Sequence, residues 1–231
     1  SLHDALPIYN TNNPLRPSSL GKPALVIAYR YYNPNVNKPL PNKNARLASI
    51  GYYFEQWVCA QLLGLGYAII TNSESTINWF EKKINCHADI IINNKLIIEC
   101  KEVNDWYYKQ WFKYNKMSDD RGYITQASLY GYAYELPILW IIGNRTTGEI
   151  GYKVLDTDTQ QLCLNRCHSI IDTLVTATEC WEDCFQFMMP EPPNKTKNGL
   201  TVPYTMNEIA DLVYELDSNG FVIDYKYPNK Y

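Results

Sequence analysis

The 231-residue sequence carries little net charge and has no long apolar run, and each shortage excludes a class of protein. The formal net charge of −3 argues against a protein that coats nucleic acid through a uniformly basic surface. The longest apolar runs, such as Ile138 to Ile142, are far too short to cross a bilayer. No signal-peptide pattern opens the chain, because His3, Asp4 and Pro7 interrupt any apolar stretch there. We therefore expect a cytoplasmic protein.

The composition is that of a globular protein that is unusually rich in aromatic residues. Hydrophobic residues make up 46% of the sequence and charged residues 19%, which is ordinary for a folded domain. A chain of this length can bury a substantial core as one domain. The 20 tyrosines and 6 tryptophans can be core residues or stacking surfaces for nucleic-acid bases.

The apolar pattern predicts a core domain over residues 46–190, with a lead-in before it and an extension after it. Residues 1–45 are rich in Asn, Pro and Tyr, and contain one predicted short strand, Ala24 to Tyr29. Residues 191–231 are predicted to form a linker and a small helix-strand extension. We place no weight on Ser1 to Ile8 in assigning structure.

Within the core, helical and strand periodicities alternate. Apolar residues at helical spacing predict a first helix over residues 46–64, closed by two glycines. A second helix is predicted from residue 121 to 134, ending before Pro137, and a third over 158–188. The predicted strands are Tyr67 to Thr71, Ala88 to Ile92, Leu96 to Cys100, Ile138 to Ile142 and Ile150 to Leu155. This order indicates an α/β fold with a central mixed β-sheet flanked by α-helices.

The extension after the core shows three local signals. Proline-rich sequence leads into an exposed linker predicted over residues 193–200. Thr205, followed by Glu208 three residues later, is a capping box that predicts a small helix through Leu216. A final strand is predicted from Phe221 to Tyr225, where it could join the edge of the sheet.

The segment that carries chemistry joins two of the predicted strands: Asp89 is followed, after nine residues, by Glu99 and then Lys101. Period-two alternation puts Glu99 and Lys101 on one face of their strand. Asp89 shares that face only if it lies opposite Glu99. A three-residue turn over residues 93–95 gives this pairing, whereas a two-residue turn would pair Asp89 with Ile98. We predict the three-residue turn, or an equivalent bulge, with an asparagine in the left-handed conformation.

Two carboxylates among isoleucines of buried strands are costly unless they are paired or bind a metal ion. Paired oxygen ligands suit Mg²⁺ or Mn²⁺, which polarise a scissile phosphate and lower the pKa of an attacking water. Lys101 would orient or deprotonate that water and offset developing negative charge. The alternative is an exposed hairpin with ordinary charged residues, because this spacing also arises by chance.

Two neighbouring helices add side chains to this pattern. Glu55 follows Gly51 by four residues and borders the apolar face of the first predicted helix. Gln126 and Tyr130 share one face of the second, where together they can hold a water, a carboxylate or a phosphate. Each signal alone is weak, since a lone glutamate there is commonly a half-exposed helix residue.

The ordered set, G-x3-E on a helix, D-x9-E-x-K on a hairpin and Q-x3-Y on a helix, resembles the PD-(D/E)XK nucleases. The resemblance is to their RecB-like and phage lambda exonuclease-like branch, and it spans Gly51 to about Leu155. It implies a restriction-endonuclease-like core in which Glu55, Asp89 and Glu99 are metal ligands and Lys101 is the catalytic lysine. Gln126 and Tyr130 would be the remaining catalytic residues.

This resemblance implies a deoxyribonuclease that uses Mg²⁺ or Mn²⁺ and acts as an exonuclease on a DNA end or single strand. Such enzymes serve phage or bacterial DNA replication, recombination or degradation, so a recombination or replication protein is a candidate partner. An endonuclease of the same fold for restriction or repair is the first alternative. A catalytically silent DNA-binding protein that retains the fold is the second.

An early segment is a candidate contact for a DNA end. Arg16, Ser18, Ser19 and Lys22 lie in a stretch similar to the Arg/Ser-rich segment that precedes the core in some of these exonucleases. Guanidinium and hydroxyl groups are good phosphate donors. A polar turn with a helix cap is an equally good interpretation.

A second candidate DNA contact lies directly after the hairpin, where aromatic residues alternate with lysines. Trp106 would stack on unpaired bases while Lys109 follows the phosphate backbone. As an amphipathic helix, the same segment could equally bury Tyr107, Trp111 and Tyr114 in the core.

Some relatives carry an iron–sulfur cluster, which the late cysteines make worth considering. The seven cysteines are an odd number, and without a secretory signal they fit reduced thiols. On one helix, Cys163 and Cys167 would lie about 25 Å from Cys180 and Cys184, too far for one cluster. A helical hairpin could unite the pairs in a zinc site or two disulfides, but residues 169–178 lack the Gly or Pro for a bend. We predict helical core thiols and no iron–sulfur cluster.

Overall fold

The computed structural model divides into two compact units, each considered by itself. Unit 1 comprises Ser1–Leu15, Pro23–Lys38 and Thr173–Tyr231, and unit 2 comprises Arg16–Lys22 and Pro39–Asp172. The residues that the structure describes are 15–22, 24–32, 42–116, 119, 122–177, 194–197, 200–203, 215–216 and 222–224. In these ranges no helix combines the length and the hydropathy that a bilayer crossing requires.

Unit 2 is built on a five-stranded mixed sheet in the order β1-β2-β3-β4-β5. Neighbouring strands are antiparallel except β3 and β4, which run parallel. The strands are β1 (Ile69–Trp79), β2 (Lys82–Ile92), β3 (Leu96–Val103), β4 (Ile138–Asn144) and β5 (Ile150–Val154). The predicted α/β architecture with a central mixed sheet is confirmed.

Helices cover both faces of this sheet. They are α1 (Pro17–Leu20), α3 (Asn42–Gly64), α4 (Asp105–Phe112), α5 (Tyr123–Tyr134) and α6 (Thr157–Asp172), while α2 (Ala24–Tyr32) belongs to unit 1. On one face, Val58 of α3 packs with Ile90, Ile98 and Cys100 in a buried cluster. Residues of opposite parity, such as Lys101, point to the other face, where Tyr123 of α5 lies against it.

The helix α2 replaces the strand predicted over Ala24 to Tyr29, so that prediction is wrong. The β-branched and aromatic residues of this stretch favour a strand in a short window. In the structure, Ala24, Ile27 and Ala28 are buried, which is the i, i+3, i+4 spacing of one helical face. The helical period therefore overrides the local preference.

The first hairpin of the sheet is longer than predicted. The strand predicted from Tyr67 to Thr71 runs in fact from Ile69 to Trp79, and its partner β2 begins at Lys82 rather than Ala88. Many residues of β1 are exposed, because β1 is the edge strand and presents polar side chains to solvent. Polar edge strands lack the apolar alternation on which strand prediction depends.

The region after α6 also departs from expectation. A π-helical turn, Thr173–Ala177, follows α6, and the rest of the helix predicted to residue 188 lies outside the described residues. The predicted linker is wrong, because β6 (Asn194–Lys197) pairs with β7 (Leu200–Pro203).

The small helix and the final strand predicted in the extension also differ from the structure. The final strand β9 (Val222–Asp224) pairs with β8 (Glu215–Leu216) and not with the edge of the main sheet. The small helix predicted from Thr205 therefore does not extend to Leu216, and residues 205–214 lie outside the described residues.

Candidate active site

The turn between β2 and β3 sets the positions of the acidic residues. Ile92 pairs with Leu96, so residues 93–95 form the predicted three-residue turn. The N–H of Lys95 donates to the carbonyl of Ile92 at 2.9 Å. Asn93 and Asn94 have φ of 51° and 55°, so two residues are left-handed where one was expected. Asparagine tolerates this conformation better than most residues, and the predicted register results.

The two strands separate just before the acidic residues meet. The last paired residues are Ile90 and Ile98, so Asp89 and Glu99, the next pair in register, are not joined as backbone partners. Instead, Oδ2 of Asp89 accepts a hydrogen bond from the backbone N–H of Cys100 at 2.8 Å. We call this point, where β2 and β3 part between Asp89 and Glu99, the seam. The carboxylate of Asp89 thus takes the place of a backbone acceptor there.

Glu99 and Lys101 form an ion pair beside the seam. The Nζ atom of Lys101 donates to Oε1 of Glu99, as alternation along β3 predicts. Glu99 has no exposed surface, and its Oε2 atom is buried without a hydrogen-bond partner among the described residues. A buried carboxylate oxygen in this state carries a desolvation cost that the ion pair with Lys101 through Oε1 offsets only in part.

Glu55 approaches the same point from α3. Burial raises its pKa to about 7, with a further increase from the charge of Asp89 and an opposing effect of Lys101. The helix α3 comes close to the sheet because the residue of β4 that faces it, Gly143, has no side chain. A Cβ on Gly143 would lie 2.7 Å from the ring of Phe54, the neighbour of Glu55. The missing side chain therefore allows α3 to bring its carboxylate to the seam.

The acidic groups influence one another strongly. Burial, followed by the charge of Asp89, raises the pKa of Glu99 to about 8, although Lys101 opposes the change. Burial also raises the pKa of Asp89, against the effects of Lys101 and the Cys100 N–H. Burial alone would lower the pKa of Lys101, but Glu99 and Asp89 outweigh it and the pKa is raised. One lysine therefore balances three carboxylates only in part.

Gln126 and Tyr130 complete the cluster from α5. Nε2 of Gln126 donates to the phenol oxygen of Tyr130 at 2.8 Å, so these residues share one helical face as predicted. Burial, and then the charge of Glu99, raises the pKa of Tyr130 well above its ordinary value. All six residues that the sequence singled out for chemistry are thus brought together around the seam: Glu55, Asp89, Glu99, Lys101, Gln126 and Tyr130.

The donor set suits a hard divalent cation, although it is not arranged as a finished coordination shell. Among the described residues, no group of three His, Cys, Asp or Glu side chains has the spacing of a metal site. The Lys101 ammonium and the Cys100 N–H each occupy a carboxylate oxygen, and the negative charges repel one another. A divalent cation would stabilise the unpartnered Oε2 of Glu99 and the carboxylates whose pKa burial raises. The residues present therefore fit Mg²⁺ or Mn²⁺.

The sequence did not reveal that three aromatic residues are packed next to Lys101 or behind one another there. The Nζ atom of Lys101 lies 5.4 Å from the ring centroid of Tyr123, and Trp111 contacts the same ring. Trp140 pairs with Glu99 across β3 and β4 and lies against Trp111. The spacing i, i+3, i+7 of Tyr123, Gln126 and Tyr130 is the signal that could have identified Tyr123.

The segment predicted to bind a DNA end forms α1 and the residues around it. Arg16 precedes the helix and donates from Nε to Oγ of Ser19 at 3.1 Å, so a polar turn at a helix start is present. Ser19 is only 3% exposed, and its hydroxyl is engaged within the protein. Ser18 and Lys22 are half-exposed.

This segment is fixed beside the beginning of α5. Arg166 of α6 donates to the carbonyls of Leu20 and Lys22 at 2.8 and 2.7 Å. A Cβ on Gly21 would lie 2.1 Å from the Cα of Gly122, so the two backbones are in direct contact. The segment therefore abuts the residue that precedes Tyr123.

The second predicted DNA contact is divided between core and surface. Tyr107 and Trp111 are buried, as the amphipathic-helix alternative requires, whereas Tyr114 is 51% exposed and does not follow that alternative. Trp106 is 59% exposed. Nζ of Lys109 pairs with Asp105 on the helix surface, at 2.5 Å. The helix thus uses alternate aromatic residues for packing and for its solvent face.

The cysteines in the described residues carry free thiols. Cys167 is buried and Cys163 half-buried on α6, in agreement with helical thiols that pack against the interior. Cys180 and Cys184 lie outside the described residues.

Comparison with known proteins gives no family assignment from sequence. No family profile matches the chain, and no curated protein is significantly similar to it. Any relationship must therefore be sought in three dimensions.

Solved structures share the fold. A protein of Eubacterium rectale, named as a candidate exonuclease, aligns with a TM-score of 0.54 and 14% identity over 87% of this chain and 95% of its own. LHK-Exo in complex with dAMP aligns with a TM-score of 0.51 and 11% identity over 79% and 97%. LHK-Exo is an alkaline exonuclease from Laribacter hongkongensis. The chain therefore shares the α/β fold of these solved structures, a mixed sheet flanked by helices, in agreement with the fold class predicted from the sequence.

Proposed function

We propose that this chain is a deoxyribonuclease that requires Mg²⁺ or Mn²⁺ and hydrolyses phosphodiester bonds, acting as an exonuclease on DNA ends. The observation that carries the proposal is the convergence of Glu55, Asp89 and Glu99 with Lys101 at the seam. Three carboxylates and one amine in a largely dehydrated position reduce the stability of the folded protein, and the fold does not require them. Such a cluster is typical of a catalytic site.

Glu55, Asp89 and Glu99 are the proposed ligands. Their oxygen atoms are the donors that Mg²⁺ and Mn²⁺ prefer, and Oε2 of Glu99 has no partner among the described residues. The bound cation would supply Lewis-acid chemistry to the phosphodiester.

Lys101 is the proposed electrostatic catalyst. Because Glu99 and Asp89 hold its pKa above the ordinary value, the side chain is an ammonium at neutral pH. An ammonium donates hydrogen bonds and stabilises the negative charge that develops on a phosphate oxygen during hydrolysis. Its position two residues after Glu99 keeps it on the face of β3 where the carboxylates meet.

Gln126 and Tyr130 have a proposed role in orienting the reactants. The amide of Gln126 occupies one lone pair of the Tyr130 oxygen, which leaves the phenol hydrogen able to donate. The raised pKa of Tyr130 keeps that hydrogen in place at neutral pH. A neutral donor beside carboxylates suits the alignment of a water or a phosphate oxygen.

The two structural neighbours described above, one named as an exonuclease and one as a candidate exonuclease, support the proposal that the substrate is DNA and that it is attacked at its ends. LHK-Exo is named as an exonuclease and its structure contains dAMP. The proposed contacts for the DNA are Arg16, Ser18 and Lys22 for the phosphate of an end, and Trp106 with Lys109 for unpaired nucleotides. Ser19, the fourth residue predicted there, is buried and accepts from Arg16, so its proposed role is to position that guanidinium. The proposed setting is phage or bacterial DNA replication, recombination or degradation, alongside a recombination or replication protein.

The proposal is tested with end-labelled linear DNA and covalently closed circular DNA, each with Mg²⁺, Mn²⁺ or EDTA. We expect linear DNA alone to be degraded, only with a divalent cation. Asp89→Ala and Lys101→Ala should abolish the activity. Glu102→Gln is the matched control, because Glu102 is a half-buried carboxylate of the same strand that is not among the proposed ligands, and it should retain activity.

Each alternative predicts a different result. Opening of the circular DNA would indicate an endonuclease of the same fold. DNA binding without hydrolysis under any of these conditions would indicate a catalytically silent protein. Activity that survives both Asp89→Ala and Lys101→Ala would place the reaction elsewhere in the chain.

A further inference from the structure

We infer that Tyr123 is a positioning residue for Lys101. When the carboxylate of Glu99 binds a divalent cation, the ring of Tyr123 holds the ammonium of Lys101. The inference rests on the proposed function, and it concerns a residue that forms no part of the recognised motif. Its basis is the geometry of the lysine and the aromatic residues packed around it.

The ring of Tyr123 is in range to attract the ammonium. Nζ of Lys101 lies 5.4 Å from the ring centroid, within the distance of about 6 Å at which cation–π attraction is effective. The side chain of Lys101 is only 16% exposed, so water competes weakly for the charge. Attraction between a cation and a ring is stronger under such conditions than at an open surface.

Lys101 needs a second partner because its first partner, Glu99, is also a proposed ligand of the cation. Its ammonium pairs with Oε1 of Glu99, the carboxylate that is also a proposed cation ligand. A divalent cation at Glu99 and an ammonium on the same carboxylate would repel each other. The face of Tyr123 offers the ammonium a position near the seam that uses no carboxylate oxygen. Lys101 can therefore stay charged and close to the substrate while Glu99 serves the cation.

Two buried tryptophans pack in succession behind the ring of Tyr123. Trp111 meets Tyr123 edge to face, with centroids 6.0 Å apart and planes at 87°. Trp111 in turn lies against Trp140, and both indoles are 1% exposed. Fully buried tryptophans cannot change rotamer without disturbing the core, so the ring of Tyr123 is held toward Lys101.

The backbone of Tyr123 is fixed as well. It is the first residue of α5, and Asp119 accepts hydrogen bonds from Ile124 N and Thr125 N at 2.7 and 3.0 Å. This carboxylate caps the helix start, where free N–H groups need an acceptor. The contact of Gly122 with Gly21 leaves no space for the backbone to retreat. A residue anchored on both sides is suited to hold a partner in one place.

The test compares three variants at Tyr123. Tyr123→Phe keeps the ring and its quadrupole, Tyr123→Leu removes the ring, and Tyr123→Met keeps apolar volume in case leucine disturbs folding. Tyr132→Leu is the matched control, since Tyr132 is an exposed tyrosine of the same helix that contacts Trp79. Thermal unfolding with EDTA confirms that each variant is folded.

The first measurement is the affinity for Mn²⁺ without DNA, by titration calorimetry. We expect the wild-type protein, Tyr123→Phe and the Tyr132→Leu control to bind equally well. Tyr123→Leu and Tyr123→Met should bind about fivefold more weakly, because the ammonium then stays on Glu99 and competes with the cation.

The second measurement is hydrolysis of linear DNA. We expect kcat of Tyr123→Leu to fall about tenfold, the size of one desolvated cation–π contact, with KM unchanged. Tyr123→Phe should restore the wild-type kcat. If Tyr123→Leu only disturbed the structure, it would not lower kcat while KM stays unchanged. The phenylalanine ring, which lacks the hydroxyl, would then not restore the rate.

The inference is overturned if Tyr123→Leu and Tyr123→Met bind Mn²⁺ as well as the wild type does. It is also overturned if Tyr123→Phe is impaired as much as Tyr123→Leu, since the hydroxyl would then be the active group. If the wild-type protein binds Mn²⁺ but hydrolyses no DNA, the proposed function fails, and the affinity measurement alone decides the role of Tyr123.

Discussion

The carboxylate of Asp89 accepts a hydrogen bond from the backbone of Cys100, one residue beyond the last paired residues of β2 and β3. Along the rest of the hairpin, carbonyl groups accept these hydrogen bonds. At the seam a charged side chain does so, among residues that are otherwise apolar. The protein therefore tolerates a half-buried carboxylate where a neutral peptide group would stabilise the sheet better.

Asp89→Asn should stabilise the protein in the absence of divalent cations while it abolishes DNA hydrolysis. The amide oxygen can still accept from Cys100, but the charge that raises the pKa of Glu99 is gone. We expect an increase of about 1 kcal/mol, seen as about 2–4 °C in Tm with EDTA at pH 8.

Asp89→Ala is the informative companion. It also removes the charge, but it leaves the Cys100 N–H without its acceptor, which costs about as much as the relief of repulsion contributes. We expect it to melt below Asp89→Asn. A lower Tm for Asp89→Asn than for the wild type would show that the charge at the seam does not destabilise the fold.

The stability of the cation-free protein should decline as pH rises from 5 to 9. Glu55 and Glu99 have pKa values of about 7 and about 8 in the folded protein, above the ordinary value of 4.5. The folded state therefore binds protons more tightly than the unfolded state. Their contribution is fully present below about pH 4.5 and is lost as pH rises through 7 and 8. Thermal unfolding in EDTA at a series of pH values measures it.

Added Mn²⁺ should reverse this trend. At pH 6 both glutamates are largely protonated and compete poorly as ligands, so the increase in Tm should be small. At pH 8.5 it should be several degrees larger. In the double variant Glu55→Gln/Glu99→Gln, the pH dependence of the Mn²⁺ effect should disappear. An effect of Mn²⁺ that is equal at both pH values would contradict the assignment of these glutamates as ligands.

Gly143→Ala should weaken both stability and activity, because the new Cβ would lie 2.7 Å from the ring of Phe54 and displace α3. We expect a loss of about 1–3 kcal/mol in the free energy of unfolding, with restoration by the additional change Phe54→Leu. Chemical denaturation measures it.

Gly51→Ala is the matched glycine substitution, on the helix itself. A Cβ at this position meets nothing within 4 Å, and the residue lies in the interior of α3. Alanine should therefore stabilise the protein by about 0.5–1 kcal/mol. Equal losses from the two glycine variants would mean that the spacing of α3 from the sheet is not what Gly143 sets.

Tyr130→Phe should lower the rate of DNA hydrolysis about tenfold and the stability by about 1 kcal/mol, because Gln126 loses its acceptor. Tyr134→Phe is the control from the same helix. Its hydroxyl donates to Ser73 O at 2.6 Å and joins α5 to the first hairpin. We expect Tyr134→Phe to reduce Tm without changing the rate. If the rates of the two variants are equal, Tyr130 has no part in the chemistry.

The features that sequence predicted best are those with a strict period. Alternation along β3 placed Glu99 and Lys101 on one face, and turn length alone gave the register from Ile92 to Leu96. Helical spacing placed Gln126 beside Tyr130. Each of these relations follows from local geometry, so it could be found without knowledge of distant residues.

The features that were missed depend on distant residues. The strands part at Asp89 because its carboxylate captures Cys100 N, which no periodicity encodes. Tyr123 meets Lys101 only because α5 begins over the far face of β3. The stretch from Ala24 to Tyr32 is β-like in composition, and only its burial in the folded protein reveals the helical period.

The two indoles behind Tyr123 also give the molecule a built-in optical probe. Trp111 and Trp140 are sealed from water, and neither ring nitrogen has a hydrogen-bond partner among the described residues. Indoles in such dry surroundings emit at the blue end of the tryptophan fluorescence range. Since Trp111 touches the ring that faces Lys101, a movement of that ammonium alters the electric field at the fluorophore. We therefore expect the emission of Trp111 to change when a divalent cation takes the place of the Lys101 ammonium on Glu99, which a titration of the unlabelled protein with Mg²⁺ measures.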